Sequence, residues 1–272
     1  MLAKMTKKYH WPSMVRDTKA FVETCVPCQM YKVGPGTTIP LKPIRTVSPF
    51  FMLGIDVLTP NMGQVTSRGN KHVVVIQDYF TKWIIAVATE DQTASTILRV
   101  LIEHVFSQHG IPRIILSDNG PCFTANQFRN SLRELGINHR FAAPYHQQTN
   151  GLVERWNRSL LTMLRTLLQS HAEDWDEYLQ MACFAYRTTP HSSTGMTPFE
   201  LLYGHDPVFP RDALFSNTQK VYSNNDFTYA RRLIEDLKRN WKLTSDSIDE
   251  AQRKYKEQYD KRAKVRTFEK GQ

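Results

Sequence analysis

Along the chain, apolar residues fall into short blocks in the middle and into helical stripes on either side of them. Residues 51–58, 73–76 and 84–88 are apolar and rich in β-branched side chains, as expected of strands buried in a sheet. Between the first two blocks, residues 59–70 contain Gly63 and Gly69 and read as a turn region. In residues 93–109, Ile97, Val100, Leu101 and Val105 form a helical stripe that Gly110 and Pro112 bring to a stop. A strand at 114–116, a helix at 126–135 stopped by Gly136, and a short strand at 138–141 follow. Residues 142–150 show no periodicity and read as a polar loop. From Gly151 onward, Val153, Trp156, Leu160, Met163, Leu164 and Leu167 mark one face of an amphipathic helix.

Further on, residues 175–188 read as a helix. Thr197 and Glu200 make a capping box with Pro198 at the first helical position, opening a short helix through residue 202. Residues 205–225 are irregular, and a charged, weakly amphipathic helix is expected from 226 to about 266. At the start of the chain, Trp11, Pro12, Val15, Ala20, Phe21 and Val22 suggest a short helix packed on an aromatic residue. Pro40, Pro43 and Pro49 make residues 34–49 a linker. Strands and helices in this order give a mixed α/β fold.

Charge adds a bias. With 35 Lys+Arg against 26 Asp+Glu, the chain carries a net charge of +9, which favours contact with polyanions. No apolar run is long enough to span a membrane, and the N-terminus lacks the apolar segment of a signal peptide. Of four cysteines only Cys25 and Cys28 are close in sequence, so a reducing compartment is expected rather than a disulfide framework. Their C-x-x-C spacing suits two ligands of one metal, with His10 as a conceivable third. A closed zinc site needs four.

Three carboxylates stand in suggestive places. Asp56 lies inside an apolar strand, Asp118 follows the strand at 114–116 in the turn Ser117-Asp118-Asn119-Gly120, and Glu154 lies in the first turn of a helix. Thirty-five residues separate Asp118 from Glu154. Phosphodiester chemistry needs an activated oxygen nucleophile, an in-line leaving oxygen and neutralisation of growing charge. Two hard cations held by a few carboxylates supply all three. Taken singly, each residue also has a plain structural explanation: a buried hydrogen-bonded Asp, a turn-shaping Asp, and a Glu favoured by the helix dipole. Glu154, Arg158 and Arg165 share one helix face. That suits a metal site flanked by phosphate contacts, or simply a solvated face with an i,i+4 ion pair.

Longer strings decide between these readings. The chain resembles the integrases of retroviruses and LTR retrotransposons, most closely the gypsy-type elements. The resemblance runs through Tyr9-His10-Trp11-Pro12, Cys25-Val26-Pro27-Cys28-Gln29, Gly54-Ile55-Asp56, Asp78-Tyr79-Phe80-Thr81-Lys82-Trp83 and Ser117-Asp118-Asn119-Gly120. It continues through Pro144-Tyr145-His146-Gln147-Gln148-Thr149-Asn150-Gly151, Val153-Glu154-Arg155-Trp156-Asn157-Arg158 and the stretch 186–198. It implies a ribonuclease-H-like core with a mixed five-stranded sheet flanked by helices. It also implies a catalytic, metal-binding triad of Asp56, Asp118 and Glu154 holding two Mg²⁺ or Mn²⁺ ions. The implied reactions are DNA 3′-end processing and strand transfer, on double-stranded DNA, by a homo-oligomer working in the nucleus after cytoplasmic passage. His146, Gln148, Asn150 and Arg158 are the expected DNA contacts.

The domains expected are a zinc-module remnant at 1–33, the linker, a catalytic core at 50–204, and an irregular segment with a charged helix at 205–272. Zinc would be held at Cys25 and Cys28 only if the histidines missing from the family's His-His-Cys-Cys pattern were supplied, so the module is expected to be truncated. The run Tyr259-Asp260-Lys261-Arg262 resembles the stretch before the family's C-terminal β-barrel, which is expected to be absent. Gln147 replaces the loop's usual proline. A catalytically silent nucleic-acid-binding or interaction fragment of such an enzyme is the competing expectation. A ribonuclease H is disfavoured by the spacing and context of the triad.

Overall fold

The computed structural model describes residues 2–25, 46–60, 65–142, 151–167, 174–209 and 226–261. It divides into two compact units: residues 44–253, and residues 1–43 together with 254–272.

The larger unit is built on a five-stranded sheet. Its strands are β1 (Met52–Leu58), β2 (His72–Asp78), β3 (Ile84–Thr89), β4 (Ile114–Ser117) and β5 (Asn138–Phe141), in the spatial order β3-β2-β1-β4-β5. The first three form an antiparallel meander, whereas β4 joins β1 and β5 joins β4 in parallel. This is the mixed sheet expected of a ribonuclease-H-like core.

Helices cover both faces of the sheet. On one face, Leu53, Ile55, Val74, Ile76 and Ile115 pack with Ile97, Leu101 and Val105, and with Phe123, Phe128 and Leu132. These come from α3 (Ala94–Leu101) and its continuation, α4 (Pro121–Thr124) and α5 (Asn126–Glu134). On the other face, Val73, Val75, Ile84 and Ala86 pack with Leu160 and Leu164 of α6 (Gly151–Leu167), and with Trp175 and Leu179 of α7 (Trp175–Arg187). Alternate residues of β1 and β2 therefore enter two different cores. This is why these strands read as continuous apolar runs rather than alternating ones.

One expected helix has a different internal geometry. After α3 the backbone passes through a π turn at Ile102–Phe106 before a final turn at Ser107–His109. The extra residue in the turn rotates the following side chains, so Val105 stays buried while Ile102 is more than half exposed. The sequence stripe Ile97, Leu101, Val105 has a spacing of four, which drifts on an ordinary α-helix and which the bulge absorbs.

The outer edge of β3 is closed by polar side chains of α7. Gln180 Nε2 donates to Ala86 O at 2.8 Å, and Arg187 donates to Ile84 O through Nε at 2.8 Å and Nη2 at 2.6 Å. The same guanidinium lies 4.3 Å from the centre of the Trp83 ring. An open edge would invite pairing with another chain, and these contacts occupy its outward carbonyls.

The β2–β3 turn holds Asp78, one of the residues of the family resemblance. Its carboxylate accepts from Thr81 N at 2.9 Å, Thr81 Oγ1 at 2.6 Å and Phe80 N at 3.3 Å. Burial pushes its pKa up. Lys82 sits at φ 65°, and its Nζ donates to Tyr79 O. The carboxylate in this motif shapes a turn.

Beyond α7, Thr197 caps α8 (Pro198–Tyr203) as expected, accepting from Glu200 N at 3.0 Å. The helix ends at Gly204 in the left-handed conformation (φ 77°), where a Cβ would fall 2.6 Å from Leu233 Cδ1. Only glycine serves both the turn and this close approach. The neighbour is α9 (Asp226–Asp260), whose Trp241 Nε1 donates to Leu201 O at 2.8 Å. The residues expected to extend this helix to 266 lie partly outside the described set.

In the smaller unit, α1 (Leu2–Met5) and α2 (Met14–Thr24) are described. Asp17 accepts from Ser13 Oγ at 2.5 Å and Trp11 Nε1 at 2.9 Å, which pins the aromatic residue to the start of α2 as the sequence suggested. Cys25 is partly exposed, while Cys28 and the linker up to residue 45 lie outside the described residues.

Candidate active site

The two aspartates are brought together by strand register. In the parallel pair β1–β4, Met52 lies opposite Ile114 and Gly54 opposite Leu116. The same offset, carried one residue past the end of β4, sets Asp118 level with Asp56. Asp56 pairs on its other side with Val75, whose side chain belongs to the core under α6 and α7, so the Asp56 side chain faces those helices.

Both carboxylates are oriented by backbone amides. Asp56 Oδ1 accepts from Val57 N at 2.8 Å, and Asp118 Oδ1 accepts from Gly120 N at 2.9 Å. At Gly120 a Cβ would stand 3.0 Å from Asp118 Oδ1, tighter than nine in ten real Cβ contacts, so any other residue there would press the carboxylate out of place by a few tenths of an ångström. Just beyond lies Cys122, partly buried. Burial, and after it the negative charges of Asp118 and Asp56, push its thiol pKa up.

Helix α6 supplies the third side. Among its described side chains, the buried line is Asn157, Leu160 and Leu164. Asn157 Nδ2 donates to Asp56 Oδ2 at 2.7 Å, tying the helix directly to the strand-borne carboxylate. Glu154 stands one turn before Asn157 on α6, in the turn that reaches Asp56. Its side chain lies outside the described residues, as do His146, Gln148 and Asn150 of the loop at 143–150. Arg158 and Arg165 are exposed on α6, away from the buried line, as the helical spacing predicted.

Asn157 is the residue that reading by chemistry passed over. It sits three positions after Glu154, so helical spacing alone puts it on a neighbouring track. Its contact with Asp56, 101 residues away in sequence, is visible only in the fold. Its other polar atom, Oδ1, is buried and has no hydrogen-bond partner among the described residues. A buried acceptor without a donor is costly. Beside two carboxylates, the water shell of a cation would satisfy it.

The donors are all hard oxygens, which suits Mg²⁺ or Mn²⁺. Asp56 and Asp118 are the described pair able to hold such an ion. Among the described residues no group of three or more His, Cys, Asp or Glu side chains is arranged to do so, and any third ligand at Glu154 falls outside that set.

Residues 52–147 match the family model described as Integrase core domain. Over this stretch, which holds Asp56 and Asp118, the chain is similar to that family. Residues 1–34 match the model described as Integrase zinc binding domain, which takes in both Cys25 and Cys28. The chain is also similar to retroviral polyproteins. Identity is 29% over 220 residues with the Gag-Pol polyprotein of Koala retrovirus, covering 80% of this chain and 12% of that protein. It is 32% over 216 residues with the Pro-Pol polyprotein of Feline foamy virus, covering 77% and 18%. The chain thus spans less than a fifth of the length of these relatives. Among solved structures, a chain of the simian T-cell lymphotropic virus intasome in complex with PP2A regulatory subunit B56 gamma superposes with a TM-score of 0.54. At 23% identity over 77% of this chain and 72% of that one, it shares the fold.

Proposed function

We propose that this chain is a DNA polynucleotidyl transferase that processes DNA 3′ ends and joins them to target DNA. The observation that supports it best is the convergence of Asp56 and Asp118 on adjacent parallel strands, with α6 tied to Asp56 through Asn157 one turn beyond Glu154. In this reading Asp56 and Asp118, with Glu154, hold two Mg²⁺ or Mn²⁺ ions. Bound there, the cations supply charge neutralisation at the phosphate and a nucleophilic oxygen at neutral pH.

The chain's own residues set the geometry. The sheet holds Asp56 and Asp118 at fixed separation. Amides of Val57 and Gly120 leave one oxygen of each carboxylate turned toward the protein. Asn157 orients the remaining oxygen of Asp56 and offers Oδ1 as an acceptor. DNA lies along the exposed side of α6, with Arg158 on a backbone phosphate and His146, Gln148 and Asn150 near the scissile bond.

The gypsy-type assignment, carried by motifs that span nearly the whole chain, belongs to this proposal. So do work on double-stranded DNA as a homo-oligomer and residence in the nucleus. Zinc at Cys25 and Cys28 completes the proposal for residues 1–34, given two further ligands.

The test is a strand-transfer and disintegration assay on oligonucleotides with Mn²⁺, comparing the chain with Glu154→Gln. Product from the first and none from the second is expected, whereas equal product from both refutes the site. DNA binding that ignores metal and yields no product assigns the chain to the silent, nucleic-acid-binding alternative.

A further inference from the structure

Behind Asp118, on the sheet face opposite the carboxylates, a short chain of polar contacts ends at the backbone of that residue. Ser117 is fully buried at the end of β4. Its Oγ is 2.8 Å from Asp118 O and 2.9 Å from His139 Nε2 on the neighbouring strand β5. His139 lies opposite Ile115 in the β4–β5 register, so His139, Ile115 and Ser117 share the face that packs on α5.

Proton counting fixes the direction of these bonds. Asp118 O is a carbonyl and can only accept, so the single hydroxyl proton of Ser117 points to it. His139 Nε2 must then donate to Ser117 Oγ, which defines the Nε2–H tautomer. In that tautomer Nδ1 is a bare lone pair. It is buried and has no partner among the described residues. Protonation would place a second N–H there without an acceptor. Burial, and after it the charge of Arg129, hold the imidazole below its ordinary pKa, in keeping with a neutral ring.

The ring itself has little freedom. Phe128 meets it edge-on with centroids 5.3 Å apart, and Phe141 lies against it at 4.5 Å. Ser117 O is taken by Ala142 N at 2.8 Å.

We propose that His139 is a positioning residue for Asp118, acting through Ser117 to hold the Asp118 peptide plane from the back of the sheet. The direction of the Asp118 Cα–Cβ bond follows from that plane. Asp118 lies just past the last paired residue of β4, so the ladder alone leaves its carbonyl unanchored. Outer hydrogen bonds that orient a metal ligand are typically worth 10–100-fold in metal affinity, and the same scale is expected here. The inference rests on the reading of Asp118 as a metal ligand.

Two substitutions separate the hydrogen bond from the packing. His139→Gln keeps an N–H donor at similar reach and loses the ring. His139→Phe keeps an aromatic ring between Phe128 and Phe141 and loses the donor. The readout is the Mn²⁺ dissociation constant of the full chain, from the electron paramagnetic resonance signal of free Mn²⁺, with metal-free melting temperature alongside. His139→Phe and Ser117→Ala should weaken Mn²⁺ binding by roughly 10–100-fold, with His139→Gln within about threefold of the parent.

The reverse order, with Phe tolerated and Gln not, would make His139 a packing residue and overturn the proposal. Unchanged affinity in all three variants, with binding abolished by Asp118→Asn, would overturn it too and leave the metal site standing. Equal affinity in Asp118→Asn and the parent would remove the metal reading itself, and this inference with it. If His139→Phe fails to fold, the smaller change Ser117→Ala carries the same comparison.

Discussion

The strand-borne and helix-borne halves of the site are held by different forces. Asp56 and Asp118 are placed by a hydrogen-bonded ladder and by amides one or two residues away, so their positions are set by local backbone geometry. Glu154 and Asn157 are placed by docking of α6, which among the described residues rests on Leu160 and Leu164 entering the core under β2 and β3 and on the bond from Asn157 to Asp56. A ladder has many small, redundant bonds. A docked helix rests on fewer, larger contacts, so one substitution should loosen it more. The first half is the template, and the second is where the geometry can be tuned or lost.

The largest effect should come from the template. Asp118→Asn removes a charge while keeping shape, and should cut strand transfer by roughly 10³-fold if metal-assisted charge stabilisation of several kcal/mol is lost. The melting temperature should barely move. A large drop in it would mean that Asp118 serves the turn rather than the chemistry.

Next, Leu164→Ala empties a fully buried position under α6. It should cost about 2–5 kcal/mol in denaturant unfolding. Hydrogen exchange should rise in α6 before it rises in β1, and equal loosening of both would erase the distinction drawn here.

Asn157→Leu severs the tie without emptying the core. Metal affinity and turnover should fall together by roughly 10–100-fold. Unchanged Mn²⁺ binding would show that Leu160 and Leu164 alone suffice.

The smallest effect is a pH dependence of overall stability. His139 and His109 are held below their ordinary pKa of 6.5, each chiefly by burial and then by a nearby arginine, Arg129 and Arg187 respectively. The unfolded chain therefore takes up these protons first as pH falls. Stability is full above about pH 6.5 and declines below it, toward the folded pKa values. The melting temperature should drop by a few degrees between pH 7.5 and 5.5. His139→Gln should remove part of that drop, and a flat profile would mean that these rings are better solvated than their surroundings imply.

Most of the strands were legible in the sequence because their burial on both faces makes them plain apolar blocks. The α6 stripe and the Thr197 cap were legible for the same local reason: spacing and cap chemistry act within a few residues. The π turn after α3 was not, since an inserted helical residue leaves the apolar pattern nearly intact. Asp78 shows the opposite limit. It stands in a motif of the family resemblance, yet its carboxylate closes a turn. Asn157 and His139 were invisible as site residues because their partners, Asp56 and Ser117, are 101 and 22 positions away.

By itself the sequence determined the order of elements, the glycine at position 120, and the three carboxylate positions whose context resembles an integrase. Residue type and short spacing encode all of these. Only the tertiary structure decided that Asp56 and Asp118 stand level, that α6 is tied to Asp56 by Asn157, and that Ser117 and His139 brace Asp118 from behind. Those facts depend on parallel register and helix docking, which arise from contacts between residues far apart in the chain.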